Sequence, residues 1–339
     1  MKELANMKKS QIEENDIYRY GGTLRINGDE ENSIFFGSLC ESWLEVVRIK
    51  NKTSTLARYE AVIRNHILPF FCREEVKDLS SAEINIFVEQ LLTDKGLSAK
   101  SVNDIVTILV QILKFGKNNG RIESFDFSIA KPTVNKKELS VLSLEEQEKL
   151  IMTIKGDVTN KNIGILLSLF TGMRIGEICA LQKKDIDLAN GIVSISKTMQ
   201  RVNLKGNGKS GTQIIIDTPK TQRSVRKIPL PEFLFAEIKR LISEADENTW
   251  LLTGRTDKFT EPRSYQNIFK KYLEKAGVGN TNFHALRHTF ATRAVEKGVD
   301  VKTLSEILGH STVSFTMERY VHPSLSIKKS NIEKLSSLY

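Results

Sequence analysis

The chain has 339 residues, 40% of them hydrophobic and 27% charged, which allows two cores, and its longest apolar stretch, Ile163 to Phe170, is far below the roughly 20 residues of a membrane span. Fifty Lys and Arg against 41 Asp and Glu leave a formal charge of +9, which favours a polyanionic partner, nucleic acid ahead of an anionic membrane surface. Cys40, Cys72 and Cys179 are odd in number and show no C-x-x-C pairing, so neither a disulfide framework nor a zinc site is expected, and the charged Met1 to Asn15 reads as no leader; a reducing, cytoplasmic setting follows.

Residues 1 to 32 are polar and mixed in charge, apart from Ile17 to Ile26, where Gly21-Gly22 could close a two-residue hairpin. This reads either as a tail or as a vestigial accessory element. From residue 33 to 127 the apolar residues recur at helical spacing: Phe35, Leu39, Trp43, Leu44 and Val47; Leu56, Tyr59, Val62 and Ile63; Ile84, Phe87, Val88 and Leu91; then Val102 through Phe115. The pattern predicts a compact all-helical domain. Lys50, Lys52, Thr53, Arg58, Lys100 and Asn103 gather at two of its helix starts, where free backbone N–H groups also favour phosphate, and they are candidate DNA contacts. Ordinary N-caps flanked by solvated lysines would give the same pattern.

Apolar density falls between residues 128 and 142, which reads as an extended basic linker around Lys131-Pro132-Thr133. A second domain, residues 143 to 325, opens on the capping-box pattern Ser143-Leu144-Glu145-Glu146. Ile163 to Thr171 is apolar nearly all round and predicts a central buried helix. Ile192 to Val202, Thr212 to Thr218 and Ser224 to Pro229 then read as three strands, and helices return from Glu232 onward, including Ser264 to Ala276, His284 to Lys297 and Val301 to Leu308. The expected fold is therefore mainly α, a helical domain followed by an α+β domain with a small three-stranded antiparallel sheet. Residues 326 to 339 place Ile327, Ile332, Leu335 and Leu338 at near-helical spacing, a helix that needs an apolar dock.

Exchange of one phosphodiester for another requires a nucleophile, fixed cations for the transition state and an acid for the leaving hydroxyl. The second domain contains candidates for each. Thr171-Gly172-Met173-Arg174-Ile175-Gly176-Glu177 places an arginine after a buried helix with a carboxylate one helical turn on. His284-Ala285-Leu286-Arg287 sets an imidazole and a guanidinium on one helix face, and the neighbouring His288 reads as a satisfied structural group. Leu308-Gly309-His310 ends another helix ten residues before Tyr320, whose phenol needs nearby cations or a base to ionise.

These strings, together with Thr218-Pro219-Lys220-Thr221 and Arg226 before Ile228-Pro229-Leu230, resemble in order and spacing the tyrosine recombinases of the phage-integrase type. The spacing is most similar to that of integrases of phages and conjugative transposons from Gram-positive bacteria. The resemblance implies a catalytic set of Arg174, Lys220, His284, Arg287, His310 and Tyr320. Arg174, Arg287 and His310 would grip the phosphate, Lys220 would protonate the leaving 5′ hydroxyl, His284 would act as base for the nucleophile Tyr320, and Glu177 would hold the arginine geometry. Arg226 would either stabilise the sheet or bind DNA. It further implies a site-specific recombinase of a mobile element that cuts and rejoins double-stranded DNA at attachment or core sites through a 3′-phosphotyrosine, with no metal or other cofactor. A homotetramer on two duplexes would form, the C-terminal helix docking on a neighbouring protomer, with accessory DNA-bending or directionality factors. A type IB topoisomerase uses a similar residue set, and a non-catalytic regulator could share the scaffold; both stand as alternatives.

Overall fold

The computed structural model describes residues 34–122, 127–134, 139–203, 211–219, 222–321, 329 and 332–333. The hairpin expected at Ile17 to Ile26, residues 220–221 and nearly all of the expected C-terminal helix lie outside the described residues. The chain divides into two compact units near residue 136.

The first unit is helical. Helices α1 (Phe36–Lys50), α2 (Thr53–Val62), α3 (Leu68–Phe71), α4 (Ser81–Thr93) and α5 (Ala99–Asn118) bury Phe36, Leu39, Trp43, Ile63, Ile67, Phe71, Phe87, Leu91 and the apolar stripe of α5 in one core. Phe71 is its hinge, with ring centroids 5.4 Å from Phe36 and 5.0 Å from Phe87. Residues Ile63–Ile67, between α2 and α3, form a wide π turn. Its cause is Pro69, which has no N–H to offer the carbonyl of Asn65 four residues earlier; Lys95 Nζ donates to that carbonyl instead, at 3.2 Å. Ser80 caps α4 in a capping box and Ser98 caps α5.

The second unit is built around α7 (Ile163–Thr171), whose residues Ile163, Ile165, Leu167 and Leu169 are all buried, as its all-round apolar sequence demands. Around it lie α6 (Leu144–Lys155), capped by the Ser143–Glu146 box, α9 (Glu232–Ile242), α10 (Pro262–Ala276), α11 (His284–Glu296), α12 (Val301–Leu308) and α13 (Val313–Tyr320). The expected helix bounds for α7 and α12 coincide with those observed.

A three-stranded antiparallel sheet is present as expected, but its strands are not the three expected runs, and a separate two-stranded ladder stands beside it. The run 192–202 divides into β2 (Ile192–Ile195) and β3 (Thr198–Asn203); β2 lies between β1 (Ile186–Asp187) and β5 (Arg226–Pro229), all antiparallel, whereas β3 pairs only with β4 (Thr212–Asp217). The break falls at Lys197. Its ammonium donates to Gln182 Oε1 at 2.6 Å, pairs with Asp185 at 2.9 Å and lies over the Trp250 ring.

Candidate active site

Two glycines allow the site to form. Gly172 closes α7 in the left-handed region, φ 68°, where a side chain would also meet Leu308 and Phe290. Gly176, inside α8 (Ile175–Cys179), lies against β3 so closely that a Cβ would stand 2.6 Å from the carbonyl oxygen of Met199. Arg174 lies between them and Glu177 directly after the second, the carboxylate buried and the arginine half-buried.

Glu177 is 3% exposed and receives two guanidinium groups. Arg174 donates to Oε1 at 2.8 Å through its side chain and to Oε2 at 2.9 Å through its amide, while Arg226 donates to both oxygens, at 3.0 and 2.9 Å. Burial alone would raise this carboxyl; Arg226, first by hydrogen bond and then by charge, and Arg174 overcome it and hold the pKa at about 2. The Arg226 side chain is 6% exposed. Arg226, which the sequence left open to stabilising the sheet or contacting DNA, lies on β5 (Arg226–Pro229) with its guanidinium enclosed against Glu177.

The cations converge on the C-terminal end of α12. A helix ends with carbonyls that have no partner within the helix and carry the negative end of its dipole. Here Arg226 Nε donates to the carbonyl of Ile307 at 2.5 Å, Arg287 to that of Leu308 at 2.8 Å and Arg174 to that of Gly309 at 3.3 Å. Arg223 donates to the carbonyl of Ser311. Consecutive carbonyls thus seat three arginines from three different elements. Arg287, 1% exposed, also donates to the carbonyl of Gly172 at 2.8 Å and pairs with no carboxylate among the described residues; burial, then Arg174, push its pKa down to about 9, still charged at neutral pH.

Tyr320 ends α13 with its ring packed on Ala291, Ala294, Leu304 and Leu308. His310, the residue after the left-handed Gly309, stacks parallel to it at 6.2 Å, with Nδ1 2.7 Å from the buried Thr316 hydroxyl. The phenolic oxygen lies 2.8 Å from His288 Nδ1, both residues being 7% exposed. Here the structure departs from expectation. His284, expected beside the phenol, lies one helical turn earlier with part of its side chain in solvent and meets His288 edge-on at 4.5 Å; His288, read as structural, holds the hydroxyl. Arg319 was also missed. Its charge lies near the phenol and, after that of Arg287, opposes the burial that raises the Tyr320 pKa.

All three imidazoles are held neutral. Burial first, then neighbouring cations, bring His284 and His288 to about 4 and His310 to about 3. Each of these groups, like Glu177, binds fewer protons folded than unfolded, so its stabilising contribution is complete above the unfolded pKa and is lost as pH falls. The windows run from 6.5 to about 4 for His284 and His288, from 6.5 to about 3 for His310, and from 4.5 to about 2 for Glu177. His66 of the first unit shifts in the same direction, through burial and Lys95. Melting temperatures are expected to fall steadily below about pH 6.5; a profile flat down to pH 4 would contradict this charge arrangement.

Arg174, His284, Arg287, His310 and Tyr320 are thus brought together, and Lys220 lies outside the described residues. Of the first-unit candidates, Lys50, Thr53, Arg58 and Lys100 are exposed and Lys52 is half-buried. Arg58 pairs with Asp104 at 3.2 Å, which brings the second turns of α2 and α5 together. Asn103 differs from the free contact expected, because its amide donates to the Pro132 carbonyl at 3.0 Å and so anchors the segment that follows α5.

Residues 140–326 match the model of the phage integrase family, and residues 35–92 match that of the phage integrase N-terminal SAM-like domain. This chain belongs to the phage integrase family. The integrase is 28% identical to a tyrosine recombinase XerC-like protein of Caldanaerobacter subterraneus subsp. tengcongensis, over 98% of this chain and 90% of the relative. It is 25% identical to the ICEBs1 integrase of Bacillus subtilis, over 91% and 84% respectively. Its fold matches the Tn1549 transposon integrase, solved in complex with a circular intermediate DNA, with a TM-score of 0.73 at 24% identity, covering 89% of this chain and 100% of that one. The integrase is a tyrosine site-specific recombinase of the kind carried by mobile elements, and nothing in these likenesses favours a topoisomerase or a non-catalytic regulator. Among the described residues no helix is long and apolar enough to cross a membrane.

Proposed function

We propose that this recombinase breaks DNA by attack of the Tyr320 hydroxyl on a phosphodiester, leaving a 3′-phosphotyrosine and a free 5′ hydroxyl, and reseals it by the reverse step with a strand from a partner duplex. The observation that carries this is the convergence of Arg174, Arg287 and His310 beside the Tyr320 phenol at the end of α12. Arg174, whose side chain is 36% exposed, binds the non-bridging oxygens from the open side; Arg287 supplies a charge from below. With Nδ1 of His310 accepting from Thr316, its Nε2–H donates to the same phosphate. Lys220, by its place in the Thr-Pro-Lys-Thr string, is the acid for the leaving oxygen. The arginines neutralise developing charge in fixed positions, as preorganised electrostatic catalysis requires.

Each protomer carries one such tyrosine, and exchange between two duplexes breaks four strands. A homotetramer on two DNA duplexes is therefore the assembly proposed, with the apolar residues of 326–339 docking on the neighbouring protomer and with accessory factors setting direction. Lys50, Lys52, Thr53, Arg58 and Lys100 contact the DNA backbone from the first unit in this reading.

The test is incubation with a nicked suicide duplex carrying the element's end, in EDTA. Wild type is expected to form a covalent protein–DNA adduct, and Tyr320→Phe to form none while still binding the duplex. Tight binding with no adduct in wild type would contradict the proposal.

A further inference from the structure

Resting on that reading of Tyr320 as nucleophile, we propose that His288, not His284, is the catalytic residue that accepts the phenolic proton. His288 Nδ1 is the nitrogen in hydrogen-bond contact with the reacting oxygen, at 2.8 Å. His310, the other imidazole against the Tyr320 ring, lies parallel to it, an orientation that does not direct an in-plane lone pair at the hydroxyl, and its Nδ1 is engaged by Thr316. His284 stands one turn away on the exposed side of His288. The four-residue spacing on α11 sets the two rings on one face in series, with His288 as the one in contact with the phenol.

The groups facing His288 are His284 and Arg287 from its own helix and Arg319 and Tyr320 from α13. Burial first, then Arg319 and Arg287, keep the imidazole neutral at pH 7, which leaves a lone pair free for the proton. Arg287 and Arg319 favour the phenolate that results, and the phosphate anion entering the site favours the imidazolium.

The step balances. As the phenolic oxygen bonds to phosphorus, its proton passes to His288 Nδ1, the P–O5′ bond breaks, and the 5′ oxygen takes a proton from Lys220. In resealing, a 5′ hydroxyl attacks phosphorus and returns its proton to that amine, while Tyr320 leaves and recovers its proton from His288.

The test compares His288→Asn, His288→Ala and His284→Asn with wild type in single-turnover adduct formation from pH 6 to 9, with noncovalent DNA binding and melting temperature as controls. Asn can still accept the hydroxyl's hydrogen bond but cannot take its proton, so it separates proton transfer from simple positioning. Both His288 variants are expected to lose roughly 100-fold or more at pH 7, the usual scale for a lost general base, and to recover about tenfold per pH unit as hydroxide replaces it. A substrate with a sulfur at the leaving 5′ position, which needs no acid, should not rescue them. Wild-type rates in His288→Asn, a loss that does not vary with pH, rescue by the sulfur substrate, or the pH slope appearing in His284→Asn would each overturn the assignment. An adduct that survives Tyr320→Phe would overturn the nucleophile itself, and this assignment with it.

Discussion

Glu177→Ala is expected to destabilise the second unit by about 3–5 kcal/mol, the scale for removing one partner of a buried ion pair. That corresponds to a fall in melting temperature on the order of 10 °C for a unit of this size. Two guanidiniums share this carboxylate, and Arg226, enclosed with it, would be left facing only carbonyl oxygens. Arg174 would lose both the partner that orients its side chain and the acceptor of its amide. Adduct formation should therefore fall even at temperatures where the variant stays folded. Glu177→Gln keeps one acceptor oxygen without the charge and should fall between the two. Calorimetry of the three proteins at pH 7 checks the order; equal stability of Glu177→Ala and wild type would show that the arginines do not depend on this carboxylate.

Arg287→Lys is expected to slow adduct formation by roughly 100-fold or more, although the formal charge is unchanged. The guanidinium bridges the carbonyls of Gly172 and Leu308, 2.8 Å from each, and so joins the end of α7 to the end of α12. An ammonium on a flexible stem cannot hold both directions of that planar fork, so the charge would move relative to the phosphate. Noncovalent DNA binding should change little, because a side chain 1% exposed in the free protein adds little to the exposed electrostatic surface. Single-turnover rates alongside gel-shift affinities separate the two; a rate within a few-fold of wild type would remove Arg287 from the transition state.

Much of this architecture was legible in side-chain patterns. The apolar helix α7, the serine caps at Ser80, Ser98 and Ser143, and the helical periodicity of the first unit all report burial and capping, which residue types express directly. What escaped lies in the backbone and in long-range pairing. The carbonyls of Ile307, Leu308 and Gly309 that seat three arginines have no side-chain signature, and only the left-handed Gly309 hints that the helix ends there. Arg226 reached Glu177 through a sheet register 49 residues away in sequence. The strand run 192–202 shows no turn signal, and its division between two sheets is set by which distant strands pair with each half, β5 with the first and β4 with the second, which no local window contains. His284 and His288 share one helix face, so periodicity could not decide between them; the docking of α13, which carries Tyr320, favoured the second.

The most direct measurement of the central claim is the identity of the residue joined to DNA. After suicide cleavage in EDTA, the adduct would be digested with nuclease and protease, and the nucleotide-bearing peptide sequenced by mass spectrometry. The expected result is a nucleotide attached through its 3′ phosphate to Tyr320 and no attachment elsewhere. Attachment at another of the seven tyrosines, or through a 5′ phosphate, would contradict it.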